Sequence, residues 1–460
     1  MSNAYRSIEP ATGKVRAEYP LDTDDRIEEV IVASGSTGWG SLDITERAAI
    51  VSKVASLFEE RAEELGQIIT REMGKPASEA KGEAEFSGAI FRYYAENGPE
   101  FAKDLVLEDT DEVRSVVERL PIGALLGVMP WNYPYYQVAR FVAPNLMLGN
   151  TIILKHAESV PDSALAIQQI MDDAGVPEGV YQNVFADHDQ IATIISDPRI
   201  QGVSFTGSER GGEAIGAQAG KNLKKAVLEL GGSDPYVILS TDDVRSAARD
   251  ALAIRLENTG QACNSNKRII VSEDIYEDFV NEAVARIKEI SPGDPAEDKE
   301  DTFGPMSSEA AADNIVEQLA TALKAGATLH VGGDRVGGEF EGGFYVSPAV
   351  LTDVPVGSEI YYQEFFGPVV QIYSASSDEE ALKIANDTQY GLGSAVFATE
   401  PGRAEKFAEG IEAGMTGVNQ PAPETEAMPF GGVKRSGFGR ELGPLGMDEF
   451  VNKKLVSVKK

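Results

Sequence analysis

Residues 124–134 read Ala-Leu-Leu-Gly-Val-Met-Pro-Trp-Asn-Tyr-Pro, a short apolar run that stops at a proline-rich turn. Similar apolar runs recur at 151–155, 181–185, 202–206 and 226–230, and helical patterns separate them. A continuous apolar run is typical of a strand that is buried on both faces. Strands that alternate with helices predict an α/β fold with a Rossmann-type parallel sheet that is covered on both sides.

A second series of the same kind follows the first. Its predicted strands lie near 236–239, 268–271, 369–373 and 394–398, and its predicted helices near 242–257, 275–290, 377–387 and 400–413. A chain of 460 residues is too long for one core, so two or three domains are expected. From Pro429 onward the chain is rich in glycine, which predicts an extended path back over the body.

Two helices are expected before the first sheet, after an irregular N-terminal segment. The first, at about 43–73, begins with Asp43 and Glu46 at the spacing of a capping box. The second, at about 77–97, should end at the Gly98-Pro99 pair. Beyond it, an alternating pattern over residues 113–118 predicts a hairpin strand, and residues 455–458 predict a C-terminal strand. Such exposed strands can pair with another subunit.

The charge balance excludes several classes of partner. The chain carries 74 acidic and 41 basic residues, a formal net charge of −33. Such a field repels nucleic-acid phosphates and anionic lipids, so neither nucleic acid nor membrane is expected as a partner. No apolar run reaches the roughly 18 residues of a membrane span and no signal peptide is visible, so a cytoplasmic location is expected. One hypothesis is a halophilic surface, adapted to a salt-rich cytoplasm that screens self-repulsion. The alternative is an ordinary acidic protein, and full stability and activity in dilute buffer would contradict the halophilic hypothesis.

The only cysteine, Cys263, follows the turn Asn258-Thr259-Gly260-Gln261-Ala262. A free cysteine can be inert packing in a core. These neighbours are not those of a core strand, however, and a thiol in a polar turn is better placed as a nucleophile. The three histidines share no metal-ligand spacing, so no metal site is expected and the partner base should be a carboxylate.

Two motifs offer groups that such a nucleophile needs. Glu229 ends an apolar run and precedes Gly231-Gly232, so burial should raise the pKa of its carboxyl into the range of a general base. Asn132 stands between two prolines, and a rigid amide N–H can stabilise an oxyanion. The alternatives are a glutamate that caps a strand end and an asparagine that caps a turn.

Two further motifs suit a nucleotide. Lys155 and Glu158 supply one donor and one acceptor at a strand end, as ribose hydroxyls require, although they could also be a solvated charge pair. Gly207 and Ser208 stand where a strand enters a helix, and backbone N–H groups there can bind a pyrophosphate. The spacing is not G-x-G-x-x-G, so a helix start without a ligand is the alternative.

Together these motifs resemble the NAD(P)-dependent aldehyde dehydrogenase superfamily over nearly the whole chain. The resemblance rests on five stretches in the family's order: Pro130-Trp131-Asn132-Tyr133-Pro134, Phe205-Thr206-Gly207-Ser208, Leu228-Glu229-Leu230-Gly231-Gly232, Gly260-Gln261-Ala262-Cys263 and Glu364-Phe365-Phe366-Gly367-Pro368. It implies an NAD-binding domain of residues 1–103 and 122–230, a catalytic α/β domain of residues 231–435, and oligomerisation strands within 104–121 and 436–460. A homodimer or homotetramer is expected.

The resemblance also implies roles for individual residues. Cys263 would attack an aldehyde to give a thiohemiacetal and then a thioester, Asn132 would hold the oxyanion, and Glu229 would activate the hydrolytic water. The positions that match cofactor contacts are Trp131, Lys155, Glu158, Gly207, Ser208, Leu230, Glu364 and Phe366. NAD is expected rather than NADP, with NADP possible, because Glu158 would accept from a ribose 2′-hydroxyl and would repel a 2′-phosphate. A coenzyme A-acylating enzyme is disfavoured, since Glu229 supplies a base for water.

The expected substrate is succinate semialdehyde. The chain looks like the bacterial succinate-semialdehyde dehydrogenase branch, and Arg140 stands where such enzymes carry an arginine for the substrate carboxylate. A surface arginine is the alternative, and Glu257 departs from the second arginine of the animal enzymes. Ser265 replaces the second cysteine of a redox-switched pair, so disulfide gating is not expected. The other functions considered are a broad-specificity or other semialdehyde dehydrogenase, and a non-catalytic protein that retains the fold.

Overall fold

The computed structural model describes residues 4–460. Its helices are α1 (Asp24–Ser34), α2 (Ile44–Glu60), α3 (Ala62–Met73), α4 (Ala77–Phe101), α5 (Tyr136–Leu148), α6 (Pro161–Ala174), α7 (His188–Ser196), α8 (Glu209–Lys221), α9 (Val244–Leu256), α10 (Glu273–Glu289), α11 (Glu309–Ala325), α12 (Asp378–Asn386), α13 (Arg403–Ala408) and α14 (Gly443–Gly446). Within this described part of the chain, no helix is both long and apolar enough to cross a membrane.

The strands of the same residues are β1 (Ala4–Glu9), β2 (Lys14–Pro20), β3 (Leu105–Asp109), β4 (Val113–Pro121), β5 (Ala124–Met129), β6 (Thr151–His156), β7 (Tyr181–Asn183), β8 (Ile200–Thr206), β9 (Lys225–Glu229), β10 (Pro235–Ile238), β11 (Arg268–Ser272), β12 (Ser291–Pro292), β13 (Thr302–Phe303), β14 (Thr328–Val331), β15 (Ala349–Thr352), β16 (Val369–Ala375), β17 (Ala395–Phe397), β18 (Gly417–Val418), β19 (Gly437–Phe438) and β20 (Val451–Lys459). The predicted apolar runs of both series are strands, with ends that differ by a few residues.

The first sheet has the order β19-β9-β8-β5-β6-β7. The five strands from β9 to β7 run parallel, and β19 adds an antiparallel edge. Apolar side chains of α2 to α6 cover one face, and those of α1, α7 and α8 cover the other. The α/β fold with a doubly covered parallel sheet is therefore confirmed. The strand order reverses beside β5, and α/β folds bind ligands at the carboxyl ends of strands at such a point.

The second sheet has the order β14-β15-β16-β11-β10-β17-β18, and only β14 is antiparallel. Helices α9 and α10 cover one face, and α11, α12 and α13 cover the other. The segment from α11 to β15 was not predicted. Its helix α11 does carry a helical signal, since Ala312, Ile315, Leu319 and Ala322 are buried and recur at helical spacing.

The single helix predicted at 43–73 is wrong, because the chain forms two helices, α2 and α3. The predicted capping box is present, with Asp43 accepting from Thr45 and Glu46 reaching back to the Asp43 N–H. The break falls at Arg61, whose φ of −104° and ψ of 14° are not helical. Both helices pack on α4, and the bend allows each of them to bury its own apolar face there.

The end predicted for the second helix at Gly98 is also wrong, since α4 continues through Pro99 to Phe101. A proline removes one hydrogen bond of a helix. Here the last turn is retained because Ala102 donates to the Gly98 carbonyl at 2.9 Å and the Phe101 ring packs 5.8 Å from that of Tyr93.

The predicted hairpin and C-terminal strand form one three-stranded sheet, β20-β4-β3, within the chain. Strand β20 pairs with β4 along its whole length, so these two strands satisfy each other. The outer strands remain open and carry exposed apolar side chains, such as Leu107 and Leu455. Pairing with another subunit at these edges stays a prediction, as do the subunit number and the domain boundaries. The N-terminal segment is not irregular, because β1 and β2 form a hairpin that is followed by α1.

His156 fastens the proline-rich turn to the first sheet. Its Nε2 lies 2.8 Å from the Pro134 carbonyl, and its Nδ1 accepts the Ala157 N–H at 2.9 Å. The ring is therefore neutral, with the proton on Nε2. Complete burial lowers the pKa of His156 to about 4. The histidine thus serves the structure, as its lack of ligand spacing indicated.

The buried, neutral ring of His156 predicts a loss of stability in acid. An unfolded histidine has a pKa near 6.5, so the contribution of His156 is complete above that pH and is lost as the pH falls towards 4. We expect the difference in unfolding free energy between wild type and His156→Gln to shrink by about 3 kcal/mol from pH 7 to pH 4. Urea unfolding at both pH values measures it. His188→Gln, at an exposed position, is the control, and an equal pH dependence in both variants would contradict the assignment.

Candidate functional site

The two sheets meet at a cleft that we call the cysteine cleft. Loops that leave the carboxyl ends of β5, β8 and β9 face loops that precede the amino ends of β11 and β16. The cleft has a volume of about 360 Å³ and is lined by Pro130, Trp131, Asn132, Gln137, Thr206, Gly207, Ser208, Glu229, Leu230, Gly231, Cys263, Glu364 and Phe366. Nine of the residues selected from the sequence therefore lie around one space, although they come from five separate segments.

A second cleft of about 590 Å³ adjoins the first, and we call it the Lys155 cleft. The two share five lining residues: Pro130, Trp131, Thr206, Gly207 and Ser208. Ser208 is the N-cap of α8, where its hydroxyl accepts the Gly211 N–H at 3.3 Å. Lys155 and Glu158 form an ion pair on the wall of this cleft. The Lys155 ammonium is buried, whereas the Glu158 carboxylate is half exposed. Of the pair, only Glu158 is therefore solvated.

The turn before Cys263 has an unusual backbone. Asn258, Thr259 and Gly260 have φ values of 49°, 56° and 72°, so three successive residues are left-handed. Only glycine adopts this conformation without cost, and two of the three are not glycine. The turn must therefore be held by contacts from outside itself.

Arg255, in the last turn of α9, supplies the largest group of these contacts. Its side chain is fully buried, and burial lowers the pKa of the guanidinium from its ordinary value. The guanidinium donates at 2.6–3.1 Å to the carbonyls of Gly260, Phe365, Gly367 and Val369 and to the hydroxyl of Ser265. It thus joins the cysteine turn to the segment that carries Glu364.

Two carboxylates of α4, one helical turn apart, hold both sides of the cleft. Glu83 accepts the backbone N–H groups of residues 135 and 136 at 2.9 and 3.2 Å, and it pairs with buried Lys75. Glu79 accepts the Asn258 N–H at 2.8 Å. Burial and the neighbouring Glu257 raise the pKa of Glu79 to about 7. One helix face therefore positions the loop of Asn132 against the turn of Cys263.

The Asn132 amide is aimed at the cysteine turn. Its Oδ1 accepts from Gln137 at 3.1 Å, and its Nδ2 donates to the Gln261 carbonyl at 2.9 Å. Asn258 Nδ2 donates in turn to the Asn132 carbonyl at 3.0 Å. An amide nitrogen carries two N–H donors. Within residues 4–460, the second donor of Asn132 makes no hydrogen bond, and Asn132 lines the cysteine cleft.

Glu229, Arg140 and Glu441 form a buried cluster of charges. Each is at most 4% exposed, and Arg140 Nε lies 2.8 Å from a Glu441 oxygen. Burial raises the pKa of Glu229 well above its ordinary value, and Glu441 raises it further. This is the direction that a general base at neutral pH requires. Neither oxygen of Glu229 has a hydrogen-bond partner within residues 4–460.

The alternative of a surface position for Arg140 is wrong, because its side chain is fully buried, although it is not among the residues that line the cysteine cleft. It stacks on the rings of Tyr136 and Phe430, at 4.6 and 4.2 Å from their centres. Its Nη1 and Nη2 have no hydrogen-bond partner in the described chain. The segment 136–148 is buried throughout, since it forms α5 between the first sheet and α4.

Burial dominates the chemistry of the Cys263 thiol. It raises the pKa of Cys263 to about 12, while Arg140 and Lys267 act in the opposite direction. With a pKa this high the thiol holds its proton at neutral pH, and any reaction of its sulfur as a nucleophile requires a base.

Comparison with known proteins identifies the family. The family model described as the aldehyde dehydrogenase family matches residues 1–456. The chain belongs to the aldehyde dehydrogenase family. It is similar to the NADP(+) succinate-semialdehyde dehydrogenase of Deinococcus radiodurans, at 45% identity over 98% of this chain and 94% of that protein. It is 40% identical to an NAD(P)+ succinate semialdehyde dehydrogenase of Escherichia coli, over 97% and 96% of the two chains.

A solved structure places the same fold beside a cofactor. The succinic semialdehyde dehydrogenase of Streptococcus pyogenes, in complex with NADP+, superposes with a TM-score of 0.95 at 38% identity, covering 99% of this chain and 100% of that one. The aldehyde dehydrogenase described here is an NAD(P)-dependent oxidoreductase. The two connected clefts and the helix N-terminus at Ser208 fit an elongated dinucleotide.

Several charged groups around the cysteine cleft belong to none of the sequence motifs: Lys75, Glu79, Glu83, Arg255, Lys267 and Glu441. One signal could have found some of them, namely a charge within an apolar helical stripe. Glu83 lies on the same stripe as Ala80 and Ala84, and Arg255 on that of Ala251 and Leu252. Lys267 and Glu441 stand outside helices and carry no comparable signal.

Arg255 yields a test of how the turn is held. A lysine keeps the charge but has three donors, so Arg255→Lys leaves at least two of the five buried acceptors unbonded. We expect the free energy of unfolding to fall by about 2–4 kcal/mol, with a loss of activity. Arg245→Lys is the matched control, because Arg245 stands on the same helix and is two-thirds exposed. Equal denaturant midpoints for the two variants would contradict the role.

Proposed function

We propose that the chain oxidises succinate semialdehyde to succinate by covalent catalysis at Cys263, with NAD preferred as the cofactor. The observation that carries the proposal is the gathering of one thiol, one amide donor and one unpartnered carboxylate around the cysteine cleft. The similarity to succinate-semialdehyde dehydrogenases supports the choice of substrate. The active form is proposed to be a homodimer or homotetramer.

Each group has a distinct task in this proposal. Cys263 Sγ forms a bond to the aldehyde carbon, and its proton leaves to Glu229. The carbonyl oxygen becomes an oxyanion that accepts from Asn132 Nδ2 and from the Cys263 N–H. When bound, NAD(P) supplies a hydride acceptor, and the thiohemiacetal at Cys263 becomes a thioester.

Hydrolysis completes the reaction. Glu229 first releases the proton of Cys263 to solvent and then takes a proton from water. The resulting hydroxide attacks the thioester carbon, and the C–S bond breaks as Glu229 gives that proton to the sulfur, which restores the thiol and releases the acid. A carboxylate in water, with a pKa near 4.3, would be a weak base for this step. The buried position of Glu229 beside Glu441 makes it a stronger one.

Arg140 is proposed to bind the carboxylate of the substrate. Its two free amino groups match the two oxygens of a carboxylate, which a guanidinium binds in bidentate fashion. Its field also reaches Cys263, where it lowers the pKa of the thiol against the effect of burial.

One observation favours a second candidate, a dehydrogenase of neutral aliphatic aldehydes. Glu441 already balances the charge of Arg140. Glu257 accepts from Tyr133 at 3.3 Å. This carboxylate stands at the position where the animal enzymes have a second arginine. These negative charges would weaken the attraction for a substrate anion, and the two candidates differ in their response to a change at Arg140.

The substitution Arg140→Lys separates the candidates. A lysine keeps a cation beside Glu441 but removes the bidentate fork. We expect kcat/KM for succinate semialdehyde to fall about 10- to 100-fold, as for a lost hydrogen bond to a charged group, with little change for propanal. NADH formation with both aldehydes on wild type and variant measures the ratio. A parallel fall for both substrates would refute the anchor and leave the dehydrogenase activity standing.

The proposed preference for NAD rests on Glu158. Its half-exposed carboxylate lies in the Lys155 cleft and can accept from a ribose 2′-hydroxyl. Lys155 lowers the pKa of Glu158 against the effect of partial desolvation, so the group stays ionised and would repel a 2′-phosphate. The paired Lys155 offsets part of that repulsion, which leaves room for slower turnover with NADP.

Removing this charge should change the cofactor preference. Glu158→Gln keeps an oxygen acceptor, so we expect kcat/KM for NAD to change less than about threefold and that for NADP to rise about tenfold. Initial rates with each cofactor give the ratio, and Glu178→Gln is an exposed control for the loss of one surface charge. A wild-type enzyme that is faster with NADP than with NAD would refute the preference.

A further inference from the structure

Lys267 is a buried cation that the reaction described above does not use. It precedes β11 by one residue and is 0% exposed. Its ammonium donates to the carbonyls of Ala262 and Cys263, at 2.7 Å each, and lies 3.0 Å from Oε1 of Glu364. Three donors thus meet three acceptors, so the group has one geometry.

These contacts join segments that are far apart in the sequence. The two carbonyls belong to the nucleophile and its neighbour, whereas Glu364 stands about a hundred residues later. The same Oε1 also accepts the Gly232 N–H at 3.1 Å, in the turn that follows the base Glu229. One ammonium therefore links the nucleophile to the turn after the base through a single carboxylate.

The second oxygen of Glu364 is available to a ligand. Within residues 4–460, Oε2 accepts no hydrogen bond, and Glu364 lines the cysteine cleft with Phe366. The Phe366 ring lies edge-on to that of Trp131, at 5.8 Å between centres. A carboxylate with one oxygen fixed and one free can hold a hydroxyl group at a defined place.

Stability alone does not explain this arrangement. A fully buried ammonium costs several kcal/mol to desolvate, and well-packed apolar residues often replace buried ion pairs without loss of stability. At Lys267 the desolvated ammonium bonds to the carbonyls of Ala262 and Cys263, which belong to the loop that carries the thiol.

We propose that Lys267 is a positioning residue that holds Cys263 and Glu364 at a fixed separation, so that a cofactor hydroxyl bound by Glu364 is aligned with the nucleophile. This inference rests on the proposed function, since it assumes that Glu364 binds the cofactor. It adds a residue that acts through two others and touches neither substrate nor cofactor.

The position of Lys267 has an electrostatic consequence as well. Its ammonium bonds to the backbone carbonyl of the residue that carries the thiol. Together with Arg140, it lowers the pKa of Cys263 against the effect of burial. Removing the ammonium should therefore make the thiolate rarer at a given pH, even without cofactor. A residue that only filled space would not alter the pH dependence of the thiol.

The test uses Lys267→Met, Glu364→Gln and the double variant. Cys263 is the only cysteine, so the rate of alkylation by iodoacetamide in cofactor-free protein reports this one thiol. We expect Lys267→Met to shift the alkylation profile to higher pH and to slow the reaction at pH 8 by about 3- to 10-fold. Glu364→Gln, which removes a negative charge, should not slow it.

Steady-state rates with propanal give the second reading. Each single variant should raise the KM for the cofactor, and the double variant should raise it no further than the larger single effect, because both act through one contact. Additive effects on the cofactor KM, or a wild-type alkylation profile in Lys267→Met, would overturn the proposal. Lys324→Met, an exposed lysine at the end of α11, is the matched control.

These experiments distinguish a failure of the proposed function from a failure of the role proposed for Lys267. If wild type oxidised no aldehyde with either cofactor, the proposed function would fail, whereas alkylation needs neither aldehyde nor cofactor and would still test Lys267. If Lys267→Met did not fold, Glu364→Gln would remain, since it leaves the lysine in place. A slower alkylation or an unchanged cofactor KM in that variant would overturn the proposal.

Discussion

The guanidinium of Arg255 donates to four carbonyl oxygens and one hydroxyl, and the cysteine turn depends on these bonds. Residues 258–260 are all left-handed, which costs free energy in two non-glycine residues. Such a conformation persists only where the surroundings determine it fully. Arg255 meets this requirement from one side and Glu79 from the other, so the turn that carries Cys263 is held in place by the protein itself.

The remaining buried charges serve the same purpose at other points of the cleft. Glu83 with Lys75 holds the start of α5, and Lys267 holds the backbone of Cys263. Each charge has its polar partners, so the desolvation cost is offset where it arises. Glu229 and Arg140 differ, because the atoms that would meet the substrate lack partners. The scaffold charges are thus satisfied, and the groups proposed to react are left free.

Much of the fold was predictable because a strand buried on both faces must be apolar along its length. The run at 124–129 and its four successors are strands for this reason. The helix ends were less predictable. Pro99 usually stops a helix, but packing of Phe101 retains the last turn, and the break at Arg61 follows from how two helices share α4. Packing contacts, rather than the local helix signals, decided both helix ends.

By itself, the sequence determined the two α/β series, the resemblance to aldehyde dehydrogenases and the residues with reactive groups. Those properties are local, since they depend on side-chain type and on spacing within a few residues. Only the tertiary structure decided that Cys263 and Glu364 approach from the amino ends of one sheet while Asn132 and Glu229 approach from the carboxyl ends of another. It also decided which charges are buried and paired, because burial depends on the packing of segments that lie hundreds of residues apart.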